Sequence, residues 1–252
     1  MKEKYKKILQ DNYEYDYTHS RKVQFAYNHT HEYLKKLVEK YDLTRLISKD
    51  NFTTVINSLK WVSKKLKGGN PSIFPKNNKN SLTYLMLTDT YNNYSNCFMY
   101  SVTLNEILLA LGYSSRVVIC LSSDPNDNEC HSVNIVYLNE FCKWIVIDSA
   151  KEAYYINKKG EPLGLLDIRD ALINDIPIYI PMCSRENLEN IRNYLYKNFV
   201  LFKCTLISDF NIYGSQNYES IYLLPKNISK SLFTSENNCI FTKNPNVFFE
   251  CP

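Results

Sequence analysis

Glycine is scarce in this 252-residue chain, six residues in all, and no GxGxxG or GxxxxGK(S/T) run occurs. The loops that let backbone N–H groups close on a phosphate are missing, which excludes dinucleotide and P-loop sites. A serine-hydrolase elbow is missing too, since the near match Gly112-Tyr113-Ser114-Ser115 lacks its second glycine. The eight cysteines contain no CxxC pair, and the four histidines no HxxxH pair. Cys130-His131 with Cys142 therefore lacks the paired ligand element of a zinc site, and neither a metal nor a cofactor is expected. No run of about 18 uninterrupted apolar residues occurs, so no membrane partner is expected either.

The basic start Met1 to Leu9 leads into no apolar stretch of signal-peptide length, which predicts a soluble, unexported chain. Cys97, Cys120, Cys130, Cys142, Cys183, Cys204, Cys239 and Cys251 have no repeated spacing, and several sit in apolar runs where cysteine acts as a small hydrophobe. A reduced, cytoplasmic protein is the expectation. Thirty basic against 26 acidic side chains leave a net charge of +4, interspersed along the chain as on a solvated mixed surface. The 21 tyrosines, many beside asparagine, form no ordered base-stacking platform, so no nucleic-acid partner is expected. What is present is a 44% hydrophobic composition, enough to bury a real core.

Apolar residues Val23, Tyr27, Leu34, Leu37, Tyr41 and Leu46 recur near the helical period across residues 20–47. A further helix is predicted from Asp50 to Leu66, stopped by Gly68-Gly69, and a Pro- and Asn-rich loop from Asn70 to Asn80. After a short apolar stretch, Leu82 to Leu87, Cys97 to Leu111 is apolar nearly all round and ends at Gly112, the pattern of a buried helix. Ser95 or Asn96 is its expected N-cap. β-Branched runs then follow at Arg116 to Leu121, His131 to Leu138 and Lys143 to Asp148, the last two read as a hairpin. Helices are expected over Leu165 to Asn174 and Arg185 to Tyr196, and strands over Val200 to Ser208 and Ser220 to Leu224.

A thiol attacks as thiolate, and a helix N-terminus with a nearby imidazolium favours that anion. Cys97 has the first by position. Alternation puts His131 and Val133 on one face of their strand and Trp144, Val146 and Asp148 on one face of the next. A hairpin of the two brings His131 and Asp148 to the same side of a sheet. Asp148 would then orient one ring nitrogen of His131 while the other faces the Cys97 sulfur. Each residue also has a structural reading: packing at a helix start, a satisfied histidine, a turn aspartate. Periodicity leaves both readings open.

Asn96-Cys97 with its buried helix, Leu111-Gly112-Tyr113-Ser114-Ser115-Arg116-Val117, His131, and Trp144-Ile145-Val146-Ile147-Asp148 together resemble the transglutaminase-like superfamily. The resemblance spans about residues 50–180. It implies an α+β fold with a papain-like core of helices packed on an antiparallel sheet, flanked by an N-terminal helical extension over 1–49 and a C-terminal α/β extension over 181–252. It also implies Cys97 as nucleophile, His131 as general base and acid, and Asp148 as orienter, acting on a protein or peptide substrate. Three positions depart from the family pattern. Asn96 stands where glycine often precedes the cysteine, Ser132-Val133 replaces a small residue and tryptophan, and Ser149 replaces a proline.

The expected activity is cysteine-dependent acyl transfer through a thioester, hydrolytic first, with protein crosslinking or deamidation as the alternative. A non-catalytic scaffold of the same fold is the rival from another class. The backbone N–H of Cys97 would serve an oxyanion hole, with Tyr91, Asn92, Asn93 and Tyr94 as candidates for the second donor. Arg116 is expected to serve structure at the helix-to-strand corner, and Tyr154-Tyr155 to lie near the cleft.

Overall fold

Apolar side chains on both faces of the β-branched runs require cover on both sides of the sheet they form. That arrangement is found in the computed structural model, which describes residues 2–15, 23–124, 126–127, 129–181, 185–215, 217–233 and 238–252. The described chain begins with α1 (Lys2–Leu9), β1 (Ala26–Tyr27), α2 (Glu32–Tyr41), α3 (Asn51–Lys65), α4 (Ser81–Tyr91) and α5 (Cys97–Ala110). Strands β2 (Ser115–Leu121), β3 (Cys130–Leu138), β4 (Lys143–Asp148) and β5 (Ala153–Tyr154) follow, then α6 (Leu165–Ile173) and α7 (Arg185–Asn198). The last elements are β6 (Leu201–Thr205), β7 (Ile207–Ser208), β8 (Ser220–Leu223), β9 (Cys239–Thr242) and α8 (Pro245–Phe248).

Seven strands form one sheet in the order β5-β4-β3-β2-β6-β8-β9, and β1 pairs with β7 apart from it. One face carries α2 to α5, whose Leu37, Leu59, Leu104 and Leu108 meet Val136, Leu138, Ile145 and Ile147 of the sheet. The opposite face carries α1, α6, α7 and α8, with Leu9, Ile168, Leu195 and Phe248 against Val118, Val133, Val146 and Phe202. Helix α5 lies centrally because every residue from Met99 to Leu109 is buried. It is held on β3 by Ser101 Oγ donating to Ser132 O at 2.8 Å and Asn134 Nδ2 donating to Ser101 O at 3.0 Å. Gly112 ends the helix at φ +87°, a left-handed conformation that a side chain would strain.

The α+β class stands as expected, with two corrections and one element that its apolar stretch alone does not specify. The sheet is mixed: β8 and β9 run parallel, because the connection over 224–238 is long enough to cross back where a tight hairpin would reverse the chain. The amphipathic spacing of residues 20–47 overstates its helix, which starts at Glu32 after the N-cap His31. Ala26 and Tyr27 extend instead to pair with Ile207 and Ser208, and the start of that segment through residue 22 lies outside the described residues, as does Cys183. Lastly, the apolar stretch at Leu82–Leu87 is a helix, α4, started by the Asn80 side chain accepting from Thr83 N at 2.9 Å.

Two buried arginines tie distant segments together. Arg116, 1% exposed, donates from Nε to Tyr27 Oη at 2.6 Å, and its terminal nitrogens donate to Phe248 O at 2.7 Å and Glu250 O at 2.9 Å. Its guanidinium lies 3.5 Å from the Phe25 ring centre and 4.2 Å from that of Trp144. This is the structural role expected for it. Arg169, equally buried, donates to Leu9 O, Asp11 O, Phe199 O and Val200 O. A planar fork serves several carbonyls at once, which an ammonium cannot. Arg116→Ala is expected to lower the unfolding free energy by about 3 kcal/mol, through orphaned carbonyls and lost stacking. Arg116→Lys should recover less than half of that; urea denaturation midpoints measure both.

Candidate active site

Asn96 caps α5, its Oδ1 accepting from Met99 N at 3.1 Å, so Cys97 is the first helical residue. The approach to this cap is braced. Ser95 N donates to Lys67 O at 2.7 Å, and Gly69 N donates to Ser95 O at 3.0 Å. Glycine is required at 69 because a Cβ there would stand 2.6 Å from Tyr94 Cδ1. Asn93, 2% exposed, accepts on Oδ1 from Ser72 N, Ser72 Oγ and Ile73 N, and donates from Nδ2 to Ile73 O. Its side chain is committed to bracing the loop, and Asn92 caps α4 in a left-handed conformation. Tyr91 and Tyr94 are exposed.

His131 heads β3 and Asp148 ends β4. The ladder pairs Asn134 with Ile147, so Asp148 falls beside Val133 and diagonal to His131 on the same face. His131 Nε2 lies 2.5 Å from Asp148 Oδ2, with the two side chains 2% and 1% exposed. Asp148 is itself anchored, accepting from Lys151 N at 3.1 Å on Oδ1 and from Tyr155 Oη at 3.5 Å on Oδ2. Tyr154 points away, edge-on to Phe52 with ring centres 5.5 Å apart.

With Nε2 turned to Asp148, Nδ1 is the ring nitrogen left to face the thiol, and the imidazole and the Cys97 side chain are close enough for each to shift the other's ionisation. The sulfur also lies 3.9 Å from Cys130 O. The structure thus brings together all three residues singled out from the sequence. Burial opposes ionisation of Cys97, but hydrogen bonding and attraction from His131, with the Ser132 N–H, outweigh it and bring the thiol below its ordinary 9.0. For His131 burial opposes protonation, and the Asp148 charge and hydrogen bond with the Cys97 contact outweigh it, raising the ring from 6.5 to about 9. The combination favours a thiolate–imidazolium pair held by a carboxylate.

One contributor was not legible in the sequence. Tyr194 of α7 packs edge-on to the His131 ring, centres 5.1 Å apart, and donates from its hydroxyl to Cys130 O at 3.2 Å. Lys151 Nζ lies 5.4 Å from the Tyr194 ring centre. The tyrosine arrives from a helix some sixty positions downstream, and no spacing marks it out. Among the described residues there is no cluster of three or more His, Cys, Asp or Glu arranged to hold a metal, and no helix long and apolar enough to cross a membrane.

No protein-family model and no curated protein matches the chain. Among solved structures, one from Cytophaga hutchinsonii named "putative cysteine protease" aligns at a TM-score of 0.37 and 13% identity, over 68% of this chain and 56% of that one. The chain thus aligns with little more than half the length of that structure.

The His131 titration tests the arrangement. Because its folded value is raised, its contribution to stability is complete below the unfolded value near 6.5 and is lost as pH rises through about 9. Asp148→Asn removes the charge that holds the proton, so His131 should titrate at lower pH, read from ¹H–¹⁵N NMR of the ring. An unchanged midpoint would contradict the assigned contact.

Proposed function

We propose that this chain is a cysteine-dependent hydrolase of peptide or amide bonds, working through a thioester on a transglutaminase-like core. The observation that carries the reading is the Cys97 sulfur at the first turn of α5 beside an imidazole whose far nitrogen is 2.5 Å from a buried carboxylate. The Leu-Gly-x-x-x-Arg-Val link and the Trp-x-x-x-Asp strand support it from the sequence.

In the proposed cycle the Cys97 thiolate adds to the substrate carbonyl carbon, forming a C–S bond while the carbonyl π electrons move to oxygen. The Cys97 N–H, unpaired in the first turn of α5, faces that oxyanion. Collapse expels the amine, which takes its proton from the His131 imidazolium and leaves a thioester. His131, now neutral, accepts a proton from water as the water adds to the thioester carbon; collapse releases the acid, and the thiolate–imidazolium pair returns. Asp148 fixes the ring and stabilises its charged form throughout. An amine in place of water would give crosslinking by the same route.

The non-catalytic rival has one observation in its favour, the Tyr194 ring lying over a His131 that is 2% exposed. Thiol chemistry separates the two. A thiol of ordinary value 9.0 is about one part in a thousand thiolate near pH 6. Cys97 should therefore react there with iodoacetamide at least about tenfold faster than Cys130, Cys142 or Cys251, although those three are more exposed. His131→Ala should abolish the advantage. Peptide mapping by mass spectrometry reads the rates, and equal rates at all cysteines select the scaffold.

A further inference from the structure

The Cys130 backbone carbonyl, at the start of β3, meets two groups at the proposed active site. Its oxygen accepts from the Tyr194 hydroxyl at 3.2 Å and lies 3.9 Å from the Cys97 sulfur. A carbonyl oxygen carries two lone pairs, so it serves both partners at once. The contact with sulfur is the longer and weaker of the two. The proposed cycle gives neither this carbonyl nor this tyrosine a part.

Helix α7 is fastened where it delivers the hydroxyl. About one turn beyond Tyr194, Lys197 pairs with Asp127 at 3.0 Å and with Glu129, the residue before Cys130. Asp127 Oδ1 in turn accepts from Glu129 N at 3.0 Å, which shapes the approach to β3. The Tyr194 ring itself stands edge-on to His131, interplanar angle 81°. Contacts on both sides of Cys130 therefore fix the hydroxyl at its carbonyl.

The state of the sulfur decides what this hydroxyl does. A thiol can donate to the Cys130 oxygen, whereas a thiolate faces the negative end of the carbonyl dipole. Left alone, that oxygen favours the neutral thiol and opposes transfer of its proton to His131. The Tyr194 O–H sets a positive hydrogen against the oxygen and draws its electron density away from the sulfur. We infer that Tyr194 is a positioning residue of the site: its hydroxyl occupies the Cys130 carbonyl, which directs the Cys97 proton to His131 and sustains the thiolate.

The inference rests on the proposed role of Cys97 and adds a residue that sets its charge. Around the Cys97 thiol stand His131 and Cys130 of β3, Asp148 of β4, Cys120 of β2 and Tyr194 of α7, with Lys151 against the Tyr194 ring. Burial, and then Cys97, Cys130 and Asp148, raise the Tyr194 hydroxyl above its ordinary value. It remains a donor across the range in which Cys97 titrates.

The test follows the Cys97 thiolate against pH in the full chain. Iodoacetamide alkylation with peptide mapping gives one profile, and ultraviolet thiolate absorbance, with the Cys97→Ser chain subtracted, gives a second. Tyr194→Phe keeps the ring against His131 and loses only the hydroxyl. It is expected to raise the Cys97 midpoint by roughly half to one pH unit, slowing alkylation below the midpoint about three- to tenfold while the high-pH plateau keeps its height. Tyr194→Leu also lacks the hydroxyl and carries the same expectation should the first variant fail to fold. An unchanged or lowered midpoint, or a lost plateau without a shift, overturns the role of Tyr194 alone. If Cys97 in the unaltered chain ionises no lower than an ordinary thiol at 9.0, the nucleophile and the positioning residue fall together.

Discussion

The contact on which the rest of the site depends is the one between His131 Nε2 and Asp148 Oδ2, 2.5 Å apart and almost wholly withdrawn from water. Withdrawing an imidazolium or a carboxylate alone costs several kcal/mol, so neither charge survives there without the other. The pairing settles the ring's orientation as well as its charge. With one nitrogen held, the other has a single direction in which to meet a partner, and Cys97 stands in that direction. Remove the carboxylate, and only the contact with Cys97 is left to oppose burial at the histidine.

A contact this demanding needs rigid supports, and the fold supplies them from both faces of the sheet. Helix α5 is pinned to β3 by Ser101 and Asn134, which sets the height of Cys97 relative to His131. The loop before Cys97 is held by the Asn93 amide and by the Ser95 backbone. From the other face α7 brings Tyr194 over the His131 ring. Arg116 and Arg169 meanwhile fasten segments from both ends of the described chain to the sheet and its helices. Buried Glu106 of α5 does similar service, accepting from Ser81 N at 2.7 Å and Asn211 N at 2.9 Å, and burial pushes its carboxyl up to about 7.

Much of this was legible residue by residue where the governing physics is local. The cap at Asn96, the stop at Gly112 and the β-branched runs of β2, β3 and β4 follow from hydrogen-bonding inventory, backbone freedom and strand alternation. Strand alternation also put His131 and Asp148 on a common face. Where a segment owes its shape to a distant partner, the reading went astray. Ala26 and Tyr27 sit in a helix-like pattern yet extend, because β7 offers backbone partners and Arg116 a donor to the Tyr27 hydroxyl. β9 joins in parallel for a comparable reason, since an edge strand takes its direction from the route of its connection.

The sequence by itself determined the helical runs and the β-branched strands, the thiol at a helix start, and a histidine and an aspartate on one face of a hairpin. These rest on periods of 3.6 and 2 and on end-capping chemistry, which act over a few residues. Only the tertiary structure decided that His131 and Asp148 touch, that the imidazole meets Cys97, and that Tyr194 covers the ring. Those juxtapositions join segments up to about sixty positions apart, and their distances are set by how helices and sheet pack. No local propensity encodes such a distance, and the charge states of Cys97 and His131 depend on it.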